Sequence, residues 1–368
     1  MIEKINSILK AIIEEKKYYL LLLVVIILAL LSAIFINVFL GIIIIALFLK
    51  INYKKYSGRT RYIIKRIGLM CVTLFFIITI TFFLVFLMPG EMIPNAEKLP
   101  AEQLQRQMEF YGFDRPVIIQ YFDYLKGIIL EGDYGISLYD KMPVINKISK
   151  AVPISFSIGI IAIIFGTIVG VFLGLIAALK KNTWLDYTTT IIAVLGISVP
   201  SFVLATLNQQ VFAVNLGLFP ATYNGSPNFS ALLLPIFSLS IFTIASMARF
   251  TRTEMLETLN SNYITLARAK GVSKNQVIFK HGFRNALVPI ITVLGPMVIA
   301  IITGSLVVET IFAIPGLGSV LTNAVLSKDV FMIVGTTIFL SVLYLLTYLV
   351  IDILYTFVDP RINLGDGE

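Results

Sequence analysis

The sequence has very few of the residues from which many catalytic and metal sites are built. Its 368 residues include one cysteine, Cys71, and one histidine, His281. A single cysteine excludes a disulfide within the chain, and one histidine with one cysteine excludes a His/Cys metal cluster built from this chain alone. The same scarcity excludes a histidine-bearing zinc protease motif and a C-x-x-C redox pair. We therefore expect no catalytic residues and no metal site.

Charge is scarce as well, which excludes an ordinary soluble protein. Hydrophobic residues make up 58% of the chain and charged residues only 14%, whereas a soluble domain carries about a quarter charged residues. The apolar residues lie in repeated runs of about 20 residues or more, the length at which a helix spans a bilayer. The sequence therefore predicts an all-α polytopic membrane protein in contact with lipid.

The net charge of +8 does not indicate a nucleic-acid partner, because the basic residues flank the apolar runs. Lysine and arginine concentrate in this way in the cytoplasmic loops of membrane proteins. Applied along the chain, this rule predicts eight spans with both termini in the cytoplasm. The first apolar run is too long for a cleavable signal peptide, and no small-residue cleavage site follows it.

Residues 1–61 are predicted to form an N-terminal extension with a two-helix membrane hairpin. The apolar run 18–49 is bordered by Lys16 and Lys17 before it and by Lys50 after it. Because basic flanks belong on the cytoplasmic side, the run is expected to enter the bilayer and return, turning near Asn37. Each arm is short for a span, which requires local thinning of the bilayer or neighbouring helices.

Residues 62–364 are predicted to form one transmembrane domain with six spans, followed by a cytoplasmic tail at 365–368. The first two spans are separated by a long polar insertion, 89–153, with amphipathic pieces and an acidic excess, which we interpret as a small external domain. The fourth and fifth are separated by a basic cytoplasmic loop, 251–285. The apolar runs are 67–88, 154–179, 187–214, 231–248, 287–308 and 331–357.

Two spans carry small or helix-breaking residues with an expected role. Gly166, Gly170 and Gly174 repeat at every fourth position, which permits close helix packing. Pro200 is expected to kink its span, because its ring removes a backbone hydrogen bond. With Ser198 and Ser201 it forms a candidate hinge or a candidate piece of a pathway, since broken helices are tolerated only where they are buried or line a cavity.

Charged side chains in or near the spans have alternative interpretations. Glu309, at the outer end of a span, could line a pathway or a gate, or it could simply face water. Asp352 is expected to cap or pair locally, and Arg249 and Arg252 are expected to anchor the inner boundary rather than bind substrate. His281 is expected on the surface, because no placed nucleophile accompanies it.

The basic loop begins with the pattern of a short helix. Ser261 or Asn262 can cap its start. Tyr263, Leu266 and Ala267 stand at helical spacing and are expected to form one apolar stripe. An irregular, flexible loop would need neither feature, so we expect an ordered helix at the start of this loop.

A second helix is expected to follow the first at once, giving an elbow. Gly271 suits the left-handed residue that closes a helix, and Arg268 and Lys270 precede it, where the helix dipole favours cations. Ser273 with Gln276 fits a capping box for the next helix. The elbow could lie on anionic lipid or bind a cytoplasmic protein. Its short, alanine-rich stripe anchors poorly in lipid, which favours docking.

Five stretches of the sequence resemble one family of membrane proteins. The stretch YITLARAKGVSKNQVIFKHGFRNALVPII looks like the cytoplasmic coupling loop of ABC-importer permeases, and it is most similar to the B-type permease of the dipeptide/oligopeptide/nickel group. The other four are YGFDRPVIIQYFDYLKGIILEGDYGISL, ISVPSF, VVETIFAIPGLG and DPRI. The resemblance covers residues 62–364.

Two features depart from the family pattern. Ala267, Arg268 and Ala269 stand where the general importer form begins Glu-Ala-Ala. The N-terminal hairpin has no counterpart in the usual six-span permease, so the expected architecture is an importer-type core of six transmembrane helices plus this hairpin and the external domain.

The resemblance implies that the chain forms half of the pathway of an ATP-driven importer in a bacterial cytoplasmic membrane. It implies as partners a second homologous permease, two cytoplasmic ATPase subunits and an extracellular solute-binding protein. The chain has no G-x-x-x-x-G-K-[ST] loop, so ATP and Mg²⁺ are expected on the ATPases and this chain is not expected to be an enzyme. The implied ATPase-coupling residues are Tyr263, Ala267, Arg268, Ala269, Lys270 and Gly271.

Peptides are the commonest cargo of the resembled group, so dipeptides or oligopeptides are expected, with nickel or a metal chelate as the alternative. Two other classes of protein are less favoured. A proton- or sodium-driven secondary transporter would place acidic residues near the bilayer midplane, where these spans have almost none. An intramembrane protease would need a Ser–His pair or two aspartates within the spans.

Overall fold

The computed structural model describes residues 58–223, 225 and 229–358, most of which are helical. The predicted N-terminal hairpin, the DPRI segment and the cytoplasmic tail lie outside the described residues. The helices are α1 (Gly58–Leu87), α2 (Ala101–Tyr111), α3 (Val117–Lys126), α4 (Val144–Leu179), α5 (Trp184–Ser198), α6 (Ser201–Asn208), α7 (Ser230–Leu259), α8 (Asn262–Ala269), α9 (Lys274–Gln276), α10 (Arg284–Ile311), α11 (Leu317–Ser327) and α12 (Val330–Val358).

Several of these helices are long and apolar enough to cross a membrane. Two bent pairs meet the same criterion when each pair is taken together, Trp184–Ser198 with Ser201–Asn215 and Lys274–Leu287 with Pro289–Val298. The described part of the chain therefore has up to six spans, which confirms the predicted six-span core. The four single helices are Lys65–Leu87, Val144–Leu179, Ser230–Leu259 and Val330–Ile353.

The chain divides into two compact units, and the first comprises the described residues 58–145 and 329–342. Helices α2 and α3 are the two amphipathic pieces expected in the polar insertion. The ring of Phe331 stacks on that of Phe113, with 5.8 Å between ring centroids. It also lies 5.9 Å from Tyr111 and 6.1 Å from Tyr124. Aromatic packing of this kind holds the insertion on the first turns of α12.

A buried carboxylate fixes the start of α12 in the same unit. Asp329 accepts hydrogen bonds from the Ser137 hydroxyl at 2.5 Å and the Leu138 amide at 3.1 Å. It also caps α12 by accepting from the Met332 amide at 3.2 Å. No local pattern in the sequence indicates this role of Asp329, because its partners at 137 and 138 are remote along the chain. Nearby, burial raises the pKa of Tyr134 to about 12, so this phenol is uncharged at neutral pH.

The second unit comprises the described residues 146–328 and 343–358, and in it α4 packs closely against α7. A Cβ atom at Gly166 would lie 2.7 Å from that of Thr243, and one at Gly170 would lie 2.6 Å from the carbonyl oxygen of Ile244. At Gly174 a Cβ would overlap the α7 backbone. The predicted close packing along the glycine stripe is therefore confirmed.

Two helices extend beyond the predicted spans. Helix α4 begins at Val144, inside the predicted insertion 89–153. Helix α7 continues to Leu259, so the first residues of the predicted loop 251–285 are its last turns. The extension of α7 is stabilised because Met255 is fully buried in an apolar cluster with Ala286 and Ile290.

Candidate functional site

The first arm of the basic elbow, α8, ends as its sequence predicts. Gly271 has a φ of 74°, which lies in the left-handed region. A side chain would be strained in that conformation, so glycine is favoured there. Its amide donates to the Arg268 carbonyl at 3.0 Å, and the Val272 amide donates to the Ala267 carbonyl at 3.2 Å. This pair of bonds is a Schellman motif, and Val272 packs on the cluster that contains Ala267, the apolar contact that accompanies the motif.

The apolar stripe of α8 differs from the predicted one. Ile264 and Ala267 are buried and pack with Val277 of the second arm, whereas Tyr263 and Leu266 are 44% and 56% exposed. The three residues predicted to form one stripe are therefore not covered alike, because only Ala267 of the three is buried. The second arm folds over the Ile264 side of the helix, so tertiary packing decides which face is covered. Two large apolar side chains of α8 are therefore left exposed.

The helix starts in the elbow have the predicted residues but not the predicted bonds. Ser261 and Ser273 occupy the N-cap positions of α8 and α9, and neither side chain makes a capping hydrogen bond. The Ser261 hydroxyl instead donates to the Thr258 carbonyl at 2.6 Å. Asn262 is the first residue of α8 rather than its cap. The predicted capping box of Ser273 and Gln276 is wrong, because exposed amides at these positions can bond to water instead.

The second arm of the elbow runs directly into a span. Helix α9 is followed by a π-helical segment, Val277–Phe283, and then by α10 with no break between them. Gly282 in this segment lies against α7, because a Cβ there would be 3.2 Å from the Leu259 side chain. The elbow is thus joined to α7 by a short turn and to α10 by continuous helix. A displacement of the elbow would move the ends of both spans.

The elbow carries exposed basic residues on both of its arms. Arg268 and Lys270 are exposed at the end of α8, with the exposed Ala269 between them, and Lys274 and Lys280 are exposed on the second arm. His281, which we expected on the surface, is partly buried in the π-helical segment. The elbow therefore presents positive charge together with exposed apolar side chains, which suits an acidic protein surface or anionic lipid.

The span that contains Pro200 is broken rather than kinked. Helices α5 and α6 meet at an angle of 106°. Val199 is extended, with φ −85° and ψ 127°, as a residue before proline prefers, and Pro200, with ψ 140°, is the N-cap of α6. Two successive residues therefore leave the helical conformation, which explains why the bend exceeds a simple proline kink.

A cavity of about 270 Å³ lies at this break. Ser198 ends α5 and Ser201 starts α6, so both predicted serines stand at the break, and Ser201 lines the cavity. The other lining residues include Gly196, Val199, Pro200, Ser238 and Phe242. The wall is mainly apolar with two hydroxyl groups, which suits a cargo of mixed polarity or a passage of water.

Glu309 is fully buried and does not face water. Its carboxylate accepts a hydrogen bond from the Gly318 amide at 2.8 Å, and the Ser155 hydroxyl accepts one from the Leu317 amide at 2.8 Å. These two side chains therefore cap the start of α11. No helix was predicted between the spans 287–308 and 331–357, where the chain has the Gly/Pro-rich turn AIPGLG, so α11 itself was missed. The turn includes Ala313 at a φ of 52°.

An ion pair joins the start of α5 to α7. The side chain of Asp186 is only 2% exposed and binds the guanidinium of Arg252 through two hydrogen bonds, of which the Nη2–Oδ2 bond is 2.9 Å long. Asp186 also accepts the Asn182 amide at 3.0 Å. Arg252 was expected to anchor the inner boundary, and Asp186 was missed. The sequence signal was a lone acidic residue immediately before the predicted span 187–214.

Among the residues that the structure describes, no group of three or more His, Cys, Asp or Glu side chains is placed to hold a metal ion. The features that remain are up to six apolar helical spans, a broken span with a cavity at its break, and a basic two-helix elbow between α7 and α10. Together they define a multi-pass membrane permease.

Comparison with known proteins identifies the family of this permease. Residues 170–364 match the binding-protein-dependent transport system inner membrane component, and residues 59–159 match the N-terminal region of such components. The chain is 43% identical to the dipeptide transport system permease protein of Lactococcus lactis subsp. cremoris, over 83% of this chain and 99% of that protein. The chain therefore belongs to the family of binding-protein-dependent transport system inner membrane components.

Two further relatives extend the same similarity. The dipeptide transport system permease protein of Bacillus subtilis is 44% identical, over 83% of this chain and 98% of that protein. The oligopeptide transport system permease protein of Salmonella typhimurium is 39% identical, over 82% of this chain and 99% of that protein. The resemblance found in the sequence is confirmed, and the chain is a transport permease subunit of the inner membrane.

Proposed function

We propose that this chain is the permease subunit of an ATP-driven importer of dipeptides or oligopeptides. The names of the relatives refer to dipeptide and oligopeptide transport, which supports peptides and does not favour the alternative of nickel or a metal chelate. In the proposed assembly, this chain and a second homologous permease form the pathway. Two cytoplasmic ATPases bind ATP and Mg²⁺, and an external solute-binding protein delivers the peptide.

The elbow carries this proposal, because it has the features of a surface that receives a moving partner. Tyr263 and Leu266 are exposed on a helix whose Ile264 and Ala267 are packed. Arg268 and Lys270 add positive charge at the end of this helix. The helical continuity from α9 to α10 gives an applied force a direct route to a span. Residues 262–271 are therefore the proposed ATPase contact, with Ala267 and Gly271 holding its shape.

The orientation follows from the same assignment. An elbow that binds a cytoplasmic ATPase places the adjoining ends of α7 and α10 inside the cell. The basic residues before the first apolar span of the core belong on the cytoplasmic side as well, so the polar insertion that follows Leu87 is outside. Both termini are then cytoplasmic, and the insertion is in position to meet the solute-binding protein.

The break at Pro200 is the proposed part of the pathway in this chain. Its cavity is lined by apolar side chains and by Ser201 and Ser238, and broken spans are tolerated where they are buried or line a cavity. Glu309 is proposed as a positioning residue rather than a gate, since it is buried and its carboxylate is engaged at the start of α11. Movement of α11 would need that bond to break.

Replacing the exposed apolar pair of the elbow tests the coupling. In the assembled transporter, Leu266→Ser and Tyr263→Ser are expected to leave insertion unchanged, because both side chains are largely exposed. They should reduce co-purification of the ATPases and peptide uptake by roughly tenfold, as loss of about 1.4 kcal/mol at an interface would.

The matched control is Phe110→Ser, which removes an apolar side chain that is 69% exposed on α2 and should leave ATPase co-purification unchanged. Normal uptake by both elbow variants would refute the coupling role. Uptake of labelled dipeptides and longer peptides, measured beside ⁶³Ni²⁺, tests the cargo separately. Import of nickel without peptide import would overturn the assignment to peptides.

A further inference from the structure

Helix α3 lies beside the last turns of α1, although the sequence places it in a region outside the membrane. The Tyr121 hydroxyl is 2.7 Å from the Thr79 hydroxyl. The Tyr121 ring lies 5.5 Å from that of Phe82 and 5.3 Å from that of Phe83, measured between centroids. Tyr124 adds a contact of 5.7 Å with Phe82. The helix is therefore packed along α1 rather than beyond its end.

The position of Thr79 sets the depth of this contact. Thr79 is eight residues before Leu87, which corresponds to about 12 Å along a helix. The apolar span Lys65–Leu87 has 23 residues, or about 34 Å, and the hydrocarbon core of a bilayer is about 30 Å thick. The hydrocarbon thus covers almost all of this span. At the depth of Thr79, the Tyr121 hydroxyl, which is 2.7 Å from the Thr79 hydroxyl, is within the hydrocarbon.

Three faces of α3 differ in character. Tyr121 and Tyr124 are buried against α1. Asp123 is on a second face, where it pairs with Arg115 at 3.1 Å. On the third face, Ile118 and its neighbour Phe122 one turn later are exposed, Phe122 to 61%. An exposed apolar face beside a polar face is the pattern of a helix that lies in a membrane interface.

The apolar face of α3 continues the lipid-facing surface of α1. Ile80, Leu84 and Leu87 are large, apolar and exposed on the outer half of that span. Phe83 lies on the same helix and packs on Tyr121, so the two surfaces adjoin. Because the exposed apolar face of α3 lies beside this surface of α1, both faces would contact acyl chains.

We propose that α3 is an interfacial helix that inserts Ile118, Ile119 and Phe122 into the acyl-chain region of the leaflet at the Leu87 end of α1. Its partner is phospholipid hydrocarbon. Lys126, at the end of the helix, is exposed and long enough for its ammonium group to reach the headgroups. The proposal concerns lipid contact alone and does not rest on the transported cargo or on the ATPases.

Site-directed spin labelling tests this contact in the assembled transporter. The native Cys71 is replaced by serine, the partner subunits are made cysteine-free, and the complex is placed in nanodiscs of phosphatidylethanolamine and phosphatidylglycerol. Single labels are introduced by Phe122→Cys and, in a second variant, Ile118→Cys. Power saturation then compares collisions with oxygen, which concentrates in lipid, and with nickel-EDDA, which stays in water.

Labels at both positions are expected to collide with oxygen several-fold more often than with nickel-EDDA. A lipid-facing control, Leu84→Cys, should behave alike, and a water-facing control, Arg106→Cys, should show the reverse ratio because Arg106 is exposed in a surface ion pair. A ratio like that at position 106 would place α3 in water. Low collision rates with both reagents would mean that protein covers this face. Either result overturns the proposal.

Discussion

Helices α8 and α11 are both short, and each follows a long helix after a brief turn, yet their starts are satisfied in different ways. At the start of α8, Ser261 stands at the N-cap position without a capping bond. At the start of α11, the amides of Leu317 and Gly318 bind Ser155 and Glu309. Exposed amides can bond to water, whereas buried amides need partners from the protein.

The contrast between the two helix starts indicates where polar residues matter in an apolar protein. Glu309 does not match any local capping pattern of α11, because it belongs to the preceding helix and lies eight residues before Leu317. In the elbow, local capping patterns are present but unused. Glu309 is thus better explained by the amides around it than by its own charge.

Glu309→Ala should have the strongest effect on stability. The buried Gly318 amide would lose its acceptor at a cost of about 1–3 kcal/mol, and the cavity would add roughly 1 kcal/mol or more. We expect a clear drop in the melting temperature of the purified transporter and in peptide uptake. Glu309→Gln keeps an acceptor oxygen and should lose much less. If Glu309→Ala and the native chain had equal melting temperatures, buried helix starts would not need protein partners more than exposed ones do.

An intermediate effect is expected at the start of α5, which stands between the two cases. Asp186 is buried, but the side chain of its partner Arg252 is 29% exposed and can regain water when the carboxylate is removed. Asp186→Ala should therefore cost about 2 kcal/mol, in the range for a hydrogen bond to a charged group. The melting temperature of the purified transporter measures this loss.

The double variant Asp186→Ala with Arg252→Ala is the control for the ion pair. If the two side chains stabilise the protein through each other, its loss should be smaller than the sum of the two single losses. Strict additivity would show that each residue acts through other contacts.

Ser273→Ala, at the start of α9, should have the weakest effect. A working N-cap serine contributes about 1 kcal/mol, but the Ser273 side chain makes no capping bond, so the loss should stay below about 0.5 kcal/mol. Ser261→Ala should cost slightly more, because it removes the bond to the Thr258 carbonyl. A fall in melting temperature as large as that for Asp186→Ala would mean that α9 is capped in solution.

Features with a local cause could be predicted from the sequence. The spans follow from the length of the apolar runs, and the glycine stripe follows from its spacing. The closure of α8 at Gly271 was predicted because a left-handed residue without a Cβ avoids strain at that point. Pro200 was correctly predicted to interrupt its span, but a kink was expected and the span is broken. The bend is larger because proline removes one hydrogen bond and the extended conformation of Val199 adds to its effect.

Features with a distant cause could not be predicted. Asp329 binds Ser137, and Asp186 binds Arg252, across 192 and 66 positions of the chain. Helix α11 was missed because its first amides depend on side chains of other helices. The burial of Ile264 and Ala267 was not predicted, because it depends on Val277 of the second arm, which packs against them.

A multi-pass permease with a basic elbow is already specified by the order of residues along this chain. The length of the apolar runs, their basic flanks and the residues at the turns are local features of the sequence. They can therefore be recognised without a structure. Three features depend instead on how the helices pack: Tyr263 and Leu266 face outward, Glu309 is buried at the start of α11, and α3 lies along α1. Each of them depends on which helix surfaces come into contact. The residue pattern leaves several faces equivalent, and tertiary packing determines which of them is buried.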